Sequence, residues 1–409
     1  MSNKVSKESY KGVRDFYPED QFIQNYIFSV WKKTVESFGY DQYDASILEL
    51  SDLYIAKSGE EIVNDQTYNF NDRGDREVTL RPEMTPTIAR MIAKRKRELQ
   101  FPLRWFSIPN LFRYERPQKG RLREHWQLNV DMFGISSIDA ELESIEIAAS
   151  ILRNLGLNDG QFAIRVNNKK LVDKTFDELG LSEIEAHQMR KLLDKKSKID
   201  DFDEQSEKIL GKKFEYNPAA DETIEALISR LNLRGISNVD FDPTLMRGFD
   251  YYTGVVFEIF AKDGENNRSI FGGGRYDDLL DIFDAEKVPA VGFGMGDVVI
   301  KDILEKNNLL PKYKPSSAVY ICTLNEAMYK SATKLANELR AEGVNTSIDY
   351  SGRKVGDQIS KASKKSIPYV ICIGDDELNS NKFTVKNLVT GKEKVLKRAQ
   401  IAKFVKDNK

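Results

Sequence analysis

Apolar residues recur along this chain in two periods, and the switches between them mark out its elements. From Gln21 to Phe38 the positions Phe22, Ile23, Tyr26, Ile27, Val30, Trp31 and Val35 keep the spacing of one helix face. Gly39 is placed to end that helix. Thr67 to Phe70 and Glu77 to Leu80 read as a hairpin across the turn-rich Asn71-Asp72-Arg73-Gly74-Asp75. Helical spacing returns over Pro86 to Lys96, with proline tolerated in the first turn. It returns again over Ala140 to Leu155, ending at Gly156. Leu103 to Ile108, Leu111 to Glu115 and Trp126 to Phe133 are strand-like, and an arginine-rich loop joins the last two.

Near Asn167 the character changes. Residues 168–232 are rich in lysine and aspartate, with helical periodicity and little strand signal, so they read as a helical insertion between strand-rich parts 1–167 and 233–312. Strands resume at Val255 to Phe260, a turn is expected over Asp263 to Asn267, and Ser269 opens a glycine-rich segment. Ala290 to Phe293 is a strand leading through glycines into a helix from about Asp297 to Lys306. The prolines of Leu309 to Ser317 mark a linker. Beyond it, over 316–409, strands and helices alternate, which predicts a small α/β domain with a mainly parallel sheet.

Composition narrows the chemistry. A net charge of -2 gives no global sign of a nonspecific polyanion binder. Lys94 to Arg97 reads as a solvated helix face. The arginines from Arg113 to Arg123 differ, because Glu115, Pro117, Gln118 and Gly120 between them imply a shaped loop. His125 and His187 stand far apart and no paired Cys or His spacing exists, which argues against structural zinc. Cys322 and Cys372 lie in apolar runs and read as buried thiols. No apolar run is long enough to span a bilayer, and the opening residues lack a signal core, so the expected compartment is the cytoplasm.

Four clusters carry candidate chemistry. In Leu80-Arg81-Pro82-Glu83-Met84-Thr85-Pro86 a carboxylate and a hydroxyl stand before a helix start; they can hold an ammonium group, or Thr85 can simply cap the helix. In the second, Arg113 ends a strand and can grip phosphate with its planar fork. Gln127, Asn129 and Asp131 then share one strand face, either lining a pocket or facing solvent. The third is Arg247-Gly248-Phe249-Asp250-Tyr251-Tyr252-Thr253-Gly254, the fourth Gly272-Gly273-Gly274-Arg275-Tyr276-Asp277, whose glycines allow close backbone approach to a ligand. Gly292, Gly294 and Gly296 are explained about as well by a tight strand-to-helix junction.

These clusters, in this order, resemble histidyl-tRNA synthetases across almost the whole chain. Lys11-Gly12-Val13-Arg14-Asp15-Phe16 is similar to the family's opening, FRYERPQKGR (112–121) to class II motif 2, and RGFDYYTG and GGGRYDDL to its histidine-specific signatures. The resemblance implies an α+β fold: an antiparallel class II sheet with flanking helices, the helical insertion, and a C-terminal α/β anticodon-binding domain. It implies a homodimeric ligase that uses ATP and Mg2+ to activate L-histidine and then charges tRNA(His). Glu83, Thr85, Gln127, Asp131, Arg247, Tyr251, Tyr252 and Tyr276 would surround histidine. Arg113 would bind the α-phosphate, Glu115 the adenine amino group and Arg121 the distal phosphates, with His125 stacked on adenine and Arg247 and Arg113 catalytic. Here Asp131 stands for the family's usual glutamate, His125 for a phenylalanine, and Ser46 for a proline near the dimer contact. The arginine that often ends motif 3 is missing from Gly292 to Val299, leaving its contact to Arg121 or Arg275. The alternative is a noncatalytic paralogue, the regulatory subunit of ATP phosphoribosyltransferase, which typically lacks the anticodon module.

Overall fold

A computed structural model describes residues 5–55, 66–118, 120–196, 199–214, 216, 218–246, 251–262 and 269–408. The chain divides into two compact units, Met1–Pro311 and Lys312–Lys409.

In the first unit, among the described residues, nine strands form one sheet. Their order is Asp41–Gln42, Leu103–Ser107, Glu124–Phe133, Ala290–Gly296, Ser269–Arg275, Val255–Ala261, Phe162–Asn168 and Val239–Phe241, with Asn110–Phe112 on the outer half of Glu124–Phe133. Every central pairing is antiparallel, and only the two outermost short strands run parallel to their neighbours. The expected antiparallel sheet is therefore mixed at its edges.

The side-chain alternation of Glu124–Phe133 divides the unit. Leu128, Val130 and Met132 point into the main core. There they meet Ile27, Trp31 and Val35 of the helix Pro18–Ser37, and Ile145, Ala148, Ile151 and Leu152 of the helix Asp139–Asn154. Gly39 and Gly156, both at positive φ, end these helices where a side chain is disfavoured. The other face of the sheet carries a second core, which includes Ile88, Ala89 and Ile92 of the helix Thr85–Arg95 and Tyr251, Tyr252 and Tyr276. A three-stranded antiparallel sheet, Leu48–Leu50, Glu77–Leu80 and Tyr68–Asn71, adjoins in sequence. Its hairpin turn is held by Asp72 Oδ1, which accepts the backbone N–H groups of Gly74 and Arg76 at 2.8 and 3.1 Å.

The helices Lys169–Glu178, Glu183–Lys195 and Phe202–Leu210 share a separate core around Val172, Phe176, Met189, Leu193 and Phe202. The next helix, Glu222–Leu233, buries Ile224, Leu227 and Leu231 in the main core instead. The expected turn over Asp263 to Asn267 lies outside the described residues.

The second unit is a five-stranded sheet in the order Thr346–Ile348, Val319–Thr323, Tyr369–Ile373, Lys382–Asn387, Glu393–Lys397. Its first three strands are parallel and the rest antiparallel. Cys322 and Cys372 are register partners on neighbouring strands, both free; Cys322 is buried and Cys372 half-buried. Among the described residues no helix is long and apolar enough to cross a membrane.

Candidate active site

A cavity of about 150 Å³ opens on the face of the main sheet opposite its core, lined by Glu83, Thr85, Arg113, Gln127, Asn129, Asp131, Tyr251, Tyr252, Tyr276 and the glycine strands. That volume is on the order of what admits one small aromatic ring. Its floor follows from strand register. Glu258, Gly272, Gly294, Asn129 and Ser107 form one row across the sheet, and Val256, Gly274, Gly292, Asp131 and Trp105 the next. Paired residues point to the same face, so the glycines leave two adjacent strands bare while Asn129 and Asp131 rise beside them. A methyl group on Gly292 would lie 2.3 Å from Asp131 Oδ1, and one on Gly294 would lie 2.3 Å from Gln127 Nε2. These two glycines clear the cavity; they are not a strand-to-helix junction, because their strand runs on to Gly296.

The polar wall is fixed by its neighbours. Asn129 and Asp131 are buried, which excludes the solvent-facing reading of this strand. Gln127 Nε2 donates to Asn129 Oδ1 at 2.7 Å, and Asn129 Nδ2 donates to the Gln127 carbonyl at 3.1 Å. Tyr276 donates its hydroxyl to Asp131 Oδ1. Burial pushes the Asp131 carboxyl up to about 7, partly offset by this hydrogen bond. The Tyr276 hydroxyl is pushed well above its usual range by burial and then by the Asp131 charge.

Glu83 is buried before the helix Thr85–Arg95. Thr85 is the first helical residue, not the cap, since the cap position is Met84 and makes no side-chain capping bond. Its hydroxyl-bearing side chain lines the cavity instead. Arg81 braces this segment by donating to the Asn110 and Ala45 carbonyls at 2.9 and 2.8 Å. Arg113 Nε donates to the Pro82 carbonyl at 2.9 Å, holding one edge of a guanidinium that lines the cavity.

Beyond Gln127 the same strand face carries His125. Burial, then the Arg113 and Arg14 charges, pushes its imidazole down to about 3, so the ring is neutral at physiological pH. Arg121, whose side chain is 59% exposed, has an Nη1 3.6 Å from Glu115 Oε2. Neither Glu115, Arg121 nor His125 lines the enclosed cavity; they belong to the loop and strand end beyond it. Arg247, with Gly248 to Asp250, lies outside the described residues.

Arg275 is not available to a ligand. It is buried and donates from Nε and Nη2 to both Glu141 oxygens at 2.6 Å, with further bonds to the Ile135 and Ser137 carbonyls. It fastens the glycine strand to the helix Asp139–Asn154, so it does not replace a motif 3 arginine. Among the described residues no group of three or more His, Cys, Asp or Glu gathers to hold a metal. The sequence placed Gln127, Asn129 and Asp131 together through strand alternation, but it under-read Gly292, Gly294 and Phe293, whose only signal was glycine at every second position.

A mainly antiparallel sheet that bares its glycine face beside acids, an amide-bearing strand and a loop-borne arginine is the arrangement that the resemblance to class II aminoacyl-tRNA synthetases implies. The sequence profile of histidyl-tRNA synthetases matches residues 12–214 and 203–297, and that of the anticodon binding domain matches 318–408. A histidine–tRNA ligase from Leptospira biflexa is 43% identical over 95% of this chain and 94% of its own. One from Thermoplasma volcanium is 36% identical over 97% and 98%. The crystal structure of histidyl-tRNA synthetase from Nostoc sp. PCC 7120 superposes with a TM-score of 0.82 at 22% identity, covering 99% of this chain and 100% of that one. The chain belongs to the histidyl-tRNA synthetase family, and its activity is that of a histidine–tRNA ligase. The regulatory-subunit alternative loses its ground, since the anticodon module is present and the relatives are ligases along their full length.

Proposed function

We propose that the cavity binds L-histidine against the α-phosphate of ATP and activates it in place. The carboxylate oxygen attacks α-phosphorus, the bond to the pyrophosphate oxygen breaks, and histidyl-adenylate forms. The terminal ribose hydroxyl of tRNA(His) then attacks the activated carbonyl and releases AMP. A histidine carboxylate is already ionised at neutral pH, so the first step needs no general base. Its difficulty is bringing one anion in line with another, which positioning and fixed cations relieve.

In this reading Glu83, Thr85 and Gln127 take the ammonium group, while Asp131 with Tyr252 and Tyr276 pairs with the imidazole and Tyr251 closes that side. Arg113 and Arg247 hold the α-phosphate and carboxylate, Glu115 meets the adenine amino group, Arg121 the distal phosphates, and neutral His125 stacks on adenine. Magnesium enters on the phosphates as part of the nucleotide substrate. The single observation that carries the assignment is the meeting of buried acid, amides, tyrosines and one guanidinium over the glycine floor. A site that hydrogen-bonds its substrate rejects analogues lacking those groups far better than an apolar pocket does.

Arg113→Ala tests it. Histidine-dependent pyrophosphate–ATP exchange should fall in kcat by about a hundredfold to a thousandfold, with the dissociation constant for histidine nearly unchanged. An unchanged kcat would remove Arg113 from the reacting centre.

A different feature supports a homodimer. Leu50, Val78 and Phe70 form one row of the three-stranded sheet, Leu48, Leu80 and Tyr68 the next, so Leu48, Leu50 and Phe70 share a face. These three are 46%, 53% and 47% exposed, an apolar surface that a second copy of the chain covers in this reading. Sedimentation at micromolar concentration should return twice 46.8 kDa, with Leu50→Glu shifting the protein to monomer. A wild-type monomer would contradict it. The compartment we assign is the cytoplasm, where neighbouring free thiols such as Cys322 and Cys372 stay reduced; cell fractionation checks it.

A further inference from the structure

We infer that Lys169, the first residue of the helical module, is a positioning residue for substrate histidine, acting by holding Tyr252 in the cavity wall. This rests on the proposed binding of histidine in the cavity and extends it to a residue outside the lining. The strand Phe162–Asn168 ends where the helix Lys169–Glu178 begins, and that junction fastens the tyrosine-bearing segment on both sides. Before the segment, buried Asn167 donates from Nδ2 to the Pro243 and Leu245 carbonyls at 3.0 and 2.9 Å. After it, Lys169 donates its backbone N–H to the Gly254 carbonyl at 3.0 Å and its Nζ to the Tyr252 carbonyl at 2.7 Å. Residues 247–250 lie in sequence between these two fastenings.

A lysine is not what the helix itself asks for at this position. As the first helical residue it sets a cation at the positive end of the helix dipole, where acids are favoured. The helix start is already capped, because the Asn168 side chain accepts the Lys170 N–H at 3.2 Å. The Tyr252 carbonyl gives the half-buried ammonium an acceptor, and a charged donor makes a stronger hydrogen bond than a neutral one.

The residue so held is one on which the cavity depends. Tyr252 lines it, and its ring packs over the glycine floor: a methyl group on Gly274 would lie 3.0 Å from Tyr252 Cδ1. Ring centres of Tyr252 and Tyr251 are 4.8 Å apart, those of Tyr251 and Tyr276 are 5.8 Å apart, and Tyr276 donates to Asp131. A shift of the Tyr252 backbone therefore passes through packed rings to the acid assigned to the imidazole. Recognition by hydrogen bonds tolerates displacement of only about 0.5 Å. Met246, next to Leu245, packs on the core that the module builds around Phe176 and Phe202. The module thus holds this wall of the cavity from both ends of the segment.

The test is histidine-dependent pyrophosphate–ATP exchange by the full chain and its Lys169→Met and Lys169→Arg variants, with KM measured separately for histidine and ATP. Lys169→Met keeps the length of the side chain and loses the donor; Lys169→Arg keeps a charged donor. KM for histidine should rise about tenfold in Lys169→Met, the loss of one charged hydrogen bond, with KM for ATP within about twofold of wild type. Lys169→Arg should recover KM for histidine to within about threefold. An unchanged KM for histidine in Lys169→Met would overturn the assignment, and so would equal rises for both substrates, which mark a general loosening of the fold. Should Lys169→Met fail to fold, Lys169→Gln replaces it with the same expectations. Gln127→Ala, in the cavity wall, separates this proposal from the reading beneath it. KM for histidine unchanged there would overturn the cavity's assignment and Lys169 with it. A rise there, with none in Lys169→Met, would overturn Lys169 alone.

Discussion

Asp131 is a carboxyl held in the wrong solvent for its charge, with the Tyr276 hydroxyl as its named donor. Burial lifts it to about 7, against roughly 3.9 in an unfolded chain. The folded state therefore holds a proton that the unfolded state has lost between about pH 4 and 7. Stability contributed by this group falls as pH rises through that window and levels off above about 7. Asp131→Asn has no such titration. Its melting temperature should gain on wild type from about pH 4.5 to 7.5 and then run parallel. Curves parallel throughout would show that the carboxyl is already ionised in the folded protein. The sequence could place this residue, because alternation along a strand puts Gln127, Asn129 and Asp131 on one face. It could not disclose the role of Gly292 and Gly294, since a glycine at a junction and one under a ligand look alike until cross-strand register is known.

Among the elements, the glycine strand depends on a neighbour for its position. Ser269–Arg275 offers few side chains to pack, so Arg275 ties its end to the helix Asp139–Asn154 through a bidentate bond to Glu141. Both side chains are nearly inaccessible, at 9% and 2% exposure, so removing one leaves a buried charge. Glu141→Ala should lower unfolding free energy by about 3–5 kcal/mol in chemical denaturation, well beyond an exposed pair. A loss under about 1 kcal/mol would mean that Asp277 and the backbone carbonyls suffice for Arg275. Helix and strand positions were legible from apolar period, and the helix Pro18–Ser37 and the strand Val255–Ala261 sit close to where spacing put them. Which core each helix joins was not legible. Period alone cannot tell that Glu222–Leu233 packs on the main sheet while the helices before it close around Phe176 and Phe202.

At the scale of the whole chain, the two units follow the two family matches: the first holds the residues that match histidyl-tRNA synthetases, and the second those that match the anticodon binding domain. Family and order of domains were legible because the motifs are contiguous in sequence. The contact of Tyr10 with Arg123 of the loop was not, since it joins residues separated by more than a hundred positions. In the proposed function the glycine-floored cavity selects an imidazole amino acid and activates it unaided by tRNA. Pyrophosphate–ATP exchange with a panel of the twenty amino acids tests this most directly. Histidine alone should support exchange, and exchange with none of the panel, or with another amino acid as fast as with histidine, would contradict it.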